Sequence, residues 1–122
     1  DDYGRTYTKT VVIKIVNQKV NISEIAFTYN GEEVTEVNYD CNGIYTGKSI
    51  QLGINTYPAE ADKYTSIQWT SNSSNLRVDP NTGVVSASGF MIQSSYTTTI
   101  TCTVTLEDGS TVSNSIQVTF SR

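Results

Sequence analysis

The sequence is poor in the residues that catalysis and helix packing rely on. Its 122 residues contain no histidine, two cysteines, two prolines, one methionine and one tryptophan. Without histidine a single chain cannot assemble a Ser-His-Asp or Cys-His nucleophile or a histidine-ligated zinc, and two cysteines cannot close a four-thiolate metal site. Cationic residues are scarce too: eight Lys and Arg against twelve Asp and Glu give a formal net charge of −4. A phosphate backbone would be repelled over most of such a surface, so nucleic acid is not an expected partner. No run approaches the roughly 18 apolar residues of a spanning helix, so membrane insertion is not expected, and no basic start leads into an apolar core as in a signal peptide. The chain reads as an excised piece of something longer. At 13.4 kDa it is large enough for one domain with its own core and too small for two.

What is present is alternation. Apolar residues recur at every second position at Ile50, Leu52 and Ile54, at Ile67 and Trp69, at Leu76 and Val78, at Ile100, Cys102, Val104 and Leu106, and at Val112, Ile116, Val118 and Phe120. A period of two puts one face of an extended strand in a core and the other in water. The intervening residues are mostly Thr, Ser, Gln and Asn, which suit a half-exposed pleated surface. No window carries a helical stripe, so the chain is expected to be all-β.

The turns sharpen this. Asp108-Gly109 suggests a two-residue hairpin, but that loop would put the apolar faces of the flanking strands on opposite sides. A three-residue loop, Glu107-Asp108-Gly109, pairs Leu106 with Ser110 and Val104 with Val112 and restores a shared face, with Gly109 at positive φ. Asp79-Pro80-Asn81-Thr82-Gly83 has Pro where φ is preset and Gly where φ should be positive, and is expected to be a second hairpin. Its likeness to a calcium loop is superficial, because the spacing of a calcium loop and its terminal glutamate are missing; Asp79 is expected to cap its own backbone.

The segments G-K-S-I-Q-L, Y-P-A-E-A, I-Q-W-T-S-N-S-S, V-D-P-N-T-G-V-V-S-A and T-I-T-C-T-V-T-L-E-D-G-S-T occur in that order. Together they resemble the bacterial immunoglobulin-like domain, group 2, over Ile22 to about Phe120. The resemblance implies an immunoglobulin-like (invasin/intimin-like) β-sandwich of about seven to nine strands in Greek-key order, with Trp69 in the core. It also implies a module strung in tandem with neighbouring immunoglobulin-like domains on exported bacterial surface proteins, beside polysaccharide-degrading enzymes, or on phage virions.

Three stretches depart from that pattern. Residues 30–47 insert a long connection, expected to be an extra hairpin or a recognition loop. Residues 88–96 carry Phe90, Met91 and Ile92 where small residues are more usual. Residues 7–16 form a Thr-rich, β-branched segment ahead of the family's first strand. The domain is therefore placed at 22–122. Residues 1–21 are a strand and linker, read either as the closing strand of a preceding domain or as an added strand of this one, which should then be paired because an exposed apolar edge is sticky.

Cys102 falls mid-strand, in the slot where an immunoglobulin domain often holds its second disulfide cysteine. No cysteine stands on the strand of Ile50 to Ile54, so a bridge would have to recruit Cys41 from the inserted connection. Two readings stay open: a Cys41–Cys102 bond closing a loop of roughly 60 residues and worth on the order of 4 kcal/mol, or two buried free thiols acting as small hydrophobes.

Acidic residues such as Glu32, Glu33, Glu36, Asp40, Glu60, Asp62, Glu107 and Asp108 fall in expected turns or on exposed faces and read as solvated charge, so neither an enzyme nor a bound metal or cofactor is expected. Eight tyrosines offer flat amphipathic faces. Tyr39 and Tyr45, flanking the inserted loop, and Phe90 are the candidate contacts to a protein or glycan ligand. The expected function is a non-catalytic structural or adhesive module, extracellular or on a bacterial cell surface. The alternatives are an accessory carbohydrate-binding module or a virion decoration domain.

Overall fold

The computed structural model of the protein describes residues 20–87 and 94–122, and among them the chain is all-β, with nine strands and no helix. These are β1 Glu24–Tyr29, β2 Glu32–Val34, β3 Glu36–Asp40, β4 Ser49–Tyr57, β5 Ser66–Ser71, β6 Leu76–Val78, β7 Val84–Ala87, β8 Ser95–Thr105 and β9 Thr111–Ser121. They form two sheets, β2-β1-β4-β7-β6 and β3-β9-β8-β5. With β2 and β3 set aside, β1-β4-β7-β6 against β5-β8-β9 is the A-B-E-D against C-F-G order of an immunoglobulin sandwich.

The alternation in the sequence becomes the interior. From one sheet Ile25, Phe27, Ile50, Leu52, Leu76 and Val85 are buried; from the other come Trp69, Ile100, Cys102, Val104, Ile116, Val118 and Phe120. Trp69 is 3% exposed, and its ring meets Phe27 of the opposite sheet at 5.9 Å between centroids and 53° between planes. Within its own sheet Trp69 lies opposite Cys102, and Ile67 opposite Val104. On the outer face, hydroxyls pair across β8 and β9, Thr97 with Thr119 at 2.7 Å and Thr101 with Ser115 at 2.8 Å.

Both expected hairpins form. Val104 lies opposite Val112, the Leu106 N–H donates to the Ser110 carbonyl at 2.8 Å, and Gly109 has φ +91°. At the other turn the Gly83 N–H donates to the Asp79 carbonyl at 3.1 Å, and Asp79 Oδ1 accepts the N–H groups of Asn81 and Thr82 at 2.8 and 3.1 Å. The Asp79 carboxylate is thus a cap for its own turn.

The 30–47 connection is not a projecting loop. Asn30 and Gly31, at φ +55° and +84°, turn β1 into β2. The chain then switches sheets, and β3 runs parallel to β9 with Val37 opposite Val118 and Tyr39 opposite Phe120. Val37, Cys41 and Tyr45 are all buried. The insertion therefore builds one sheet edge on each layer and adds side chains to the core.

The sandwich has two poles. At one lie the Leu106 to Ser110 turn and the ends of β4 and β5; there the Ser23 N–H bonds the Tyr57 carbonyl, the Asp62 N–H the Val20 carbonyl, and the Thr65 N–H the Thr105 carbonyl, each at 2.8 Å. At the opposite pole the Cys41 N–H bonds the Ser121 carbonyl and the Arg122 N–H bonds the Ser94 carbonyl, at 2.6 and 3.0 Å.

Candidate functional site

The residues singled out from sequence do not gather into one site. Tyr45 is only 3% exposed, packed edge-on against Tyr96 at 5.7 Å, and burial holds its phenol above the usual range. It presents no face to a ligand, which corrects its assignment as a contact residue. Tyr39 is half-buried, tilted against Phe120 at 5.1 Å. Phe90 lies outside the described residues, as does the 7–16 segment.

Cys41 and Cys102 are both free and buried. The ladder explains why they stay apart. Asp40 lies opposite Ser121, which puts Cys41 beside the end of β9, whereas Cys102 is opposite Asn114. The seven residues between those levels amount to roughly 23 Å of strand, while a disulfide needs Cα atoms within about 7 Å. The disulfide reading is therefore replaced by two buried thiols at opposite ends of one sheet.

A more telling place lies along β4. Its first half sits between β1 and β7, with Gln51 opposite Val84 and the Leu52 N–H bonded to the Gly83 carbonyl at 3.1 Å. Beyond that, the Asp79 to Gly83 turn carries the neighbouring hairpin away, while pairing with β1 continues to Tyr57 opposite Glu24. Alternate residues of a strand direct their backbone groups to opposite sides. Leu52 points toward β7 and Tyr57 toward β1, so the N–H and C=O groups of Ile54 and Thr56 point to the side that β7 has left. No described residue hydrogen-bonds them.

A cleft of about 680 Å³ runs along this edge. Ile54, Asn55, Thr56 and Tyr57 form one wall, and Ala59, Ala61, Lys63 and Tyr64 of the β4–β5 connection form the other. Ile54 and Tyr64 are partly buried against the core, while Tyr57 is 37% exposed. On the solvent face Glu33 of β2 accepts hydrogen bonds from Asn55 Nδ2, at 2.9 Å, and from the Tyr57 hydroxyl. These two bonds, Asn55 first, lower the Glu33 pKa, and the bond to Glu33 raises that of Tyr57. Glu33 is therefore held as an anion, and the phenol remains its donor. The cleft thus combines an apolar floor, open backbone donors and acceptors, and a charged rim, which is chemistry for holding an extended peptide.

Nothing in the tyrosine pattern ranked Tyr57 and Tyr64 above the other six. The available signal was positional: they bracket the connection that follows the alternating run Ile50, Leu52 and Ile54. Among the described residues no three acidic or thiol groups converge as a metal site. Compared with known protein families and with curated proteins, the chain matches none.

Proposed function

We propose that this chain is a non-catalytic spacer or presenting module, an immunoglobulin-like domain of the bacterial group 2 kind, working outside the cell beside similar neighbours. The observation that carries the reading is the path of the chain. It passes Val20 at one pole and Arg122 at the other, bound to Asp62 and Ser94 respectively. Between those poles β8 and β9 pair over eleven residues each, a ladder of about 35 Å. A domain traversed from pole to pole adds its length to an array of copies.

Contacts to a partner are then made from a pole. At the Arg122 end the 42–44 tip is held by two left-handed residues, Asn42 and Gly43, and leaves Ile44 56% exposed. The glycan-binding alternative has lost its Tyr39–Tyr45 platform, since Tyr45 is covered.

Small-angle scattering of two copies joined end to end tests the spacer reading. A maximum dimension growing by about the length of one ladder per copy is expected. A folded-back, compact pair would sink it, and strong binding on a glycan array would move the assignment to the carbohydrate-binding alternative.

A further inference from the structure

We infer that copies of this domain dock head to tail, with the Ile44 tip of one copy seated in the Tyr57–Tyr64 cleft of the next. The inference rests on the spacer reading and names the contact that would make such a spacer stiff. Among the described residues three large hydrophobic side chains are exposed, Val20, Ile44 and Tyr57, and all three stand at the poles. Ile44 is at the Arg122 pole, on the loop that follows Cys41, whose N–H bonds the Ser121 carbonyl. Val20 and Tyr57 are at the other pole. There Tyr57 lines the cleft, and the Val20 carbonyl is bonded by Asp62, between the cleft residues Ala61 and Lys63. Apolar surface confined to the two ends is what a row of copies would cover.

One end is a knob and the other a hollow. The tip is fixed by Asn42 and Gly43 at φ +56° and +96°, by the Asn42 N–H bonded to Asp40 Oδ1 at 2.7 Å, and by the Ile44 N–H bonded to the Cys41 carbonyl at 3.4 Å. An apolar side chain is thus presented on a preformed turn, which limits the ordering cost of docking. The cleft offers an apolar floor, where Ile54, Ala61 and Tyr64 pack against the core.

Charge selects the occupant and its direction. Among the described residues the cleft pole carries Glu24, Glu60 and Asp62 against Lys63, all exposed. At the Arg122 pole two cations flank the tip against Asp40: Lys48, whose N–H bonds the Tyr45 carbonyl at 3.0 Å, and Arg122 itself. Two cleft poles therefore repel each other, whereas a cleft pole and an Arg122 pole attract. When two copies are joined end to end, residues 1–19 stand between Arg122 of the first and Val20 of the second. Such a tether holds the two poles at an effective concentration of about millimolar, so a weak contact is enough to close the junction.

Amide nitrogen relaxation of two full chains joined end to end tests the junction, and scattering of the same protein tests the spacer reading separately. A docked pair tumbles as one body, with a rotational correlation time at least ~2-fold that of a single chain. Ile44→Asp in the first copy puts a carboxylate against an apolar, acidic cleft and returns both copies to near the single-chain value. The same substitution in the second copy, whose tip is at the free end, leaves the pair slow and shows that the fold tolerates it. Tyr57→Ala in the second copy alters the cleft side of the junction and releases the pair as Ile44→Asp in the first copy does. An elongated pair whose copies tumble independently overturns the docking and leaves the spacer reading standing. Slow tumbling that survives either junction variant, or that is lost equally when Ile44→Asp is placed in the second copy, also overturns the docking. A compact, folded-back pair overturns both.

Discussion

Gly83 lies against the face of Trp69. A Cβ placed on Gly83 would stand 2.8 Å from both Cε2 and Cζ2 of the indole and 3.0 Å from the Leu52 carbonyl oxygen, and the residue has φ +79°. The turn and the tryptophan therefore fit each other: the hairpin closes only where a side chain is missing, and the gap is filled by the ring. The backbone confirms the pairing, since the Trp69 N–H donates to the Pro80 carbonyl at 3.0 Å.

Gly83→Ala should therefore cost about 3 kcal/mol, combining left-handed strain with a clash against a packed ring. Gly109→Ala, at φ +91° with open space around it, is the control and should cost only about 1–2 kcal/mol. Trp69→Leu loses ring contacts yet frees the space that the alanine needs. The double variant should be more stable than the sum of the single losses predicts, by at least ~1 kcal/mol. Urea unfolding of the four proteins measures this, and strict additivity would mean that the contact carries no energy.

How much of this was readable beforehand depends on range. Strand identity, the three-residue loop at Glu107 to Gly109 and the capping by Asp79 are local, fixed by a period of two and by turn chemistry within a few residues. The burial of Tyr45 and the separation of Cys41 from Cys102 depend on the switch of the chain from β2 to β3, and nothing in residues 30–47 states which sheet β3 will join. The open half of β4 is more remote still. It arises because a turn about thirty residues downstream diverts β7, so the run Ile50, Leu52, Ile54 looks uniform in sequence while, among the described residues, only its first part has neighbours on both sides.

Tyr45 and Tyr39 separate a core role from a contact role. Tyr45→Ala removes a buried ring packed on Tyr96 and should cost about 3–4 kcal/mol. Tyr39→Ala removes a half-buried ring on the β3 edge and should cost about 1–2 kcal/mol. Thermal unfolding ranks the two; equal, small losses would show that the 41–48 loop is not packed as described.

The Glu33 carboxylate reports on the cleft rim. Its pKa is lowered chiefly by the Asn55 amide and next by the Tyr57 hydroxyl. Tyr57→Phe removes one donor and Asn55→Ala the other, so each should move the Glu33 titration upward, Asn55→Ala further. Carboxyl carbon shifts followed by NMR from neutral to acid pH measure this. If Tyr57→Phe leaves the Glu33 midpoint in place, the phenol is not its donor in solution.

Cys102 ties the core to alkaline pH. Burial alone lifts its thiol from 9.0 to about 12, since the thiolate would sit among apolar side chains with no charge to compensate it. Below about pH 9 the thiol is protonated in both folded and unfolded chains and adds no pH dependence. Above that value the unfolded chain loses the proton and the folded chain keeps it, so stability falls as pH rises, with a slope approaching about 1.4 kcal/mol per pH unit until the folded thiol ionises near 12. Cys102→Ala removes this contribution and should flatten the curve between pH 9 and 11, at the cost of a small cavity at neutral pH. In the unaltered protein both thiols should alkylate only after unfolding, giving a native mass with two free cysteines. A pH-stability slope unchanged by Cys102→Ala would place the alkaline loss on other groups raised by burial, the Cys41 thiol and the Tyr45 phenol.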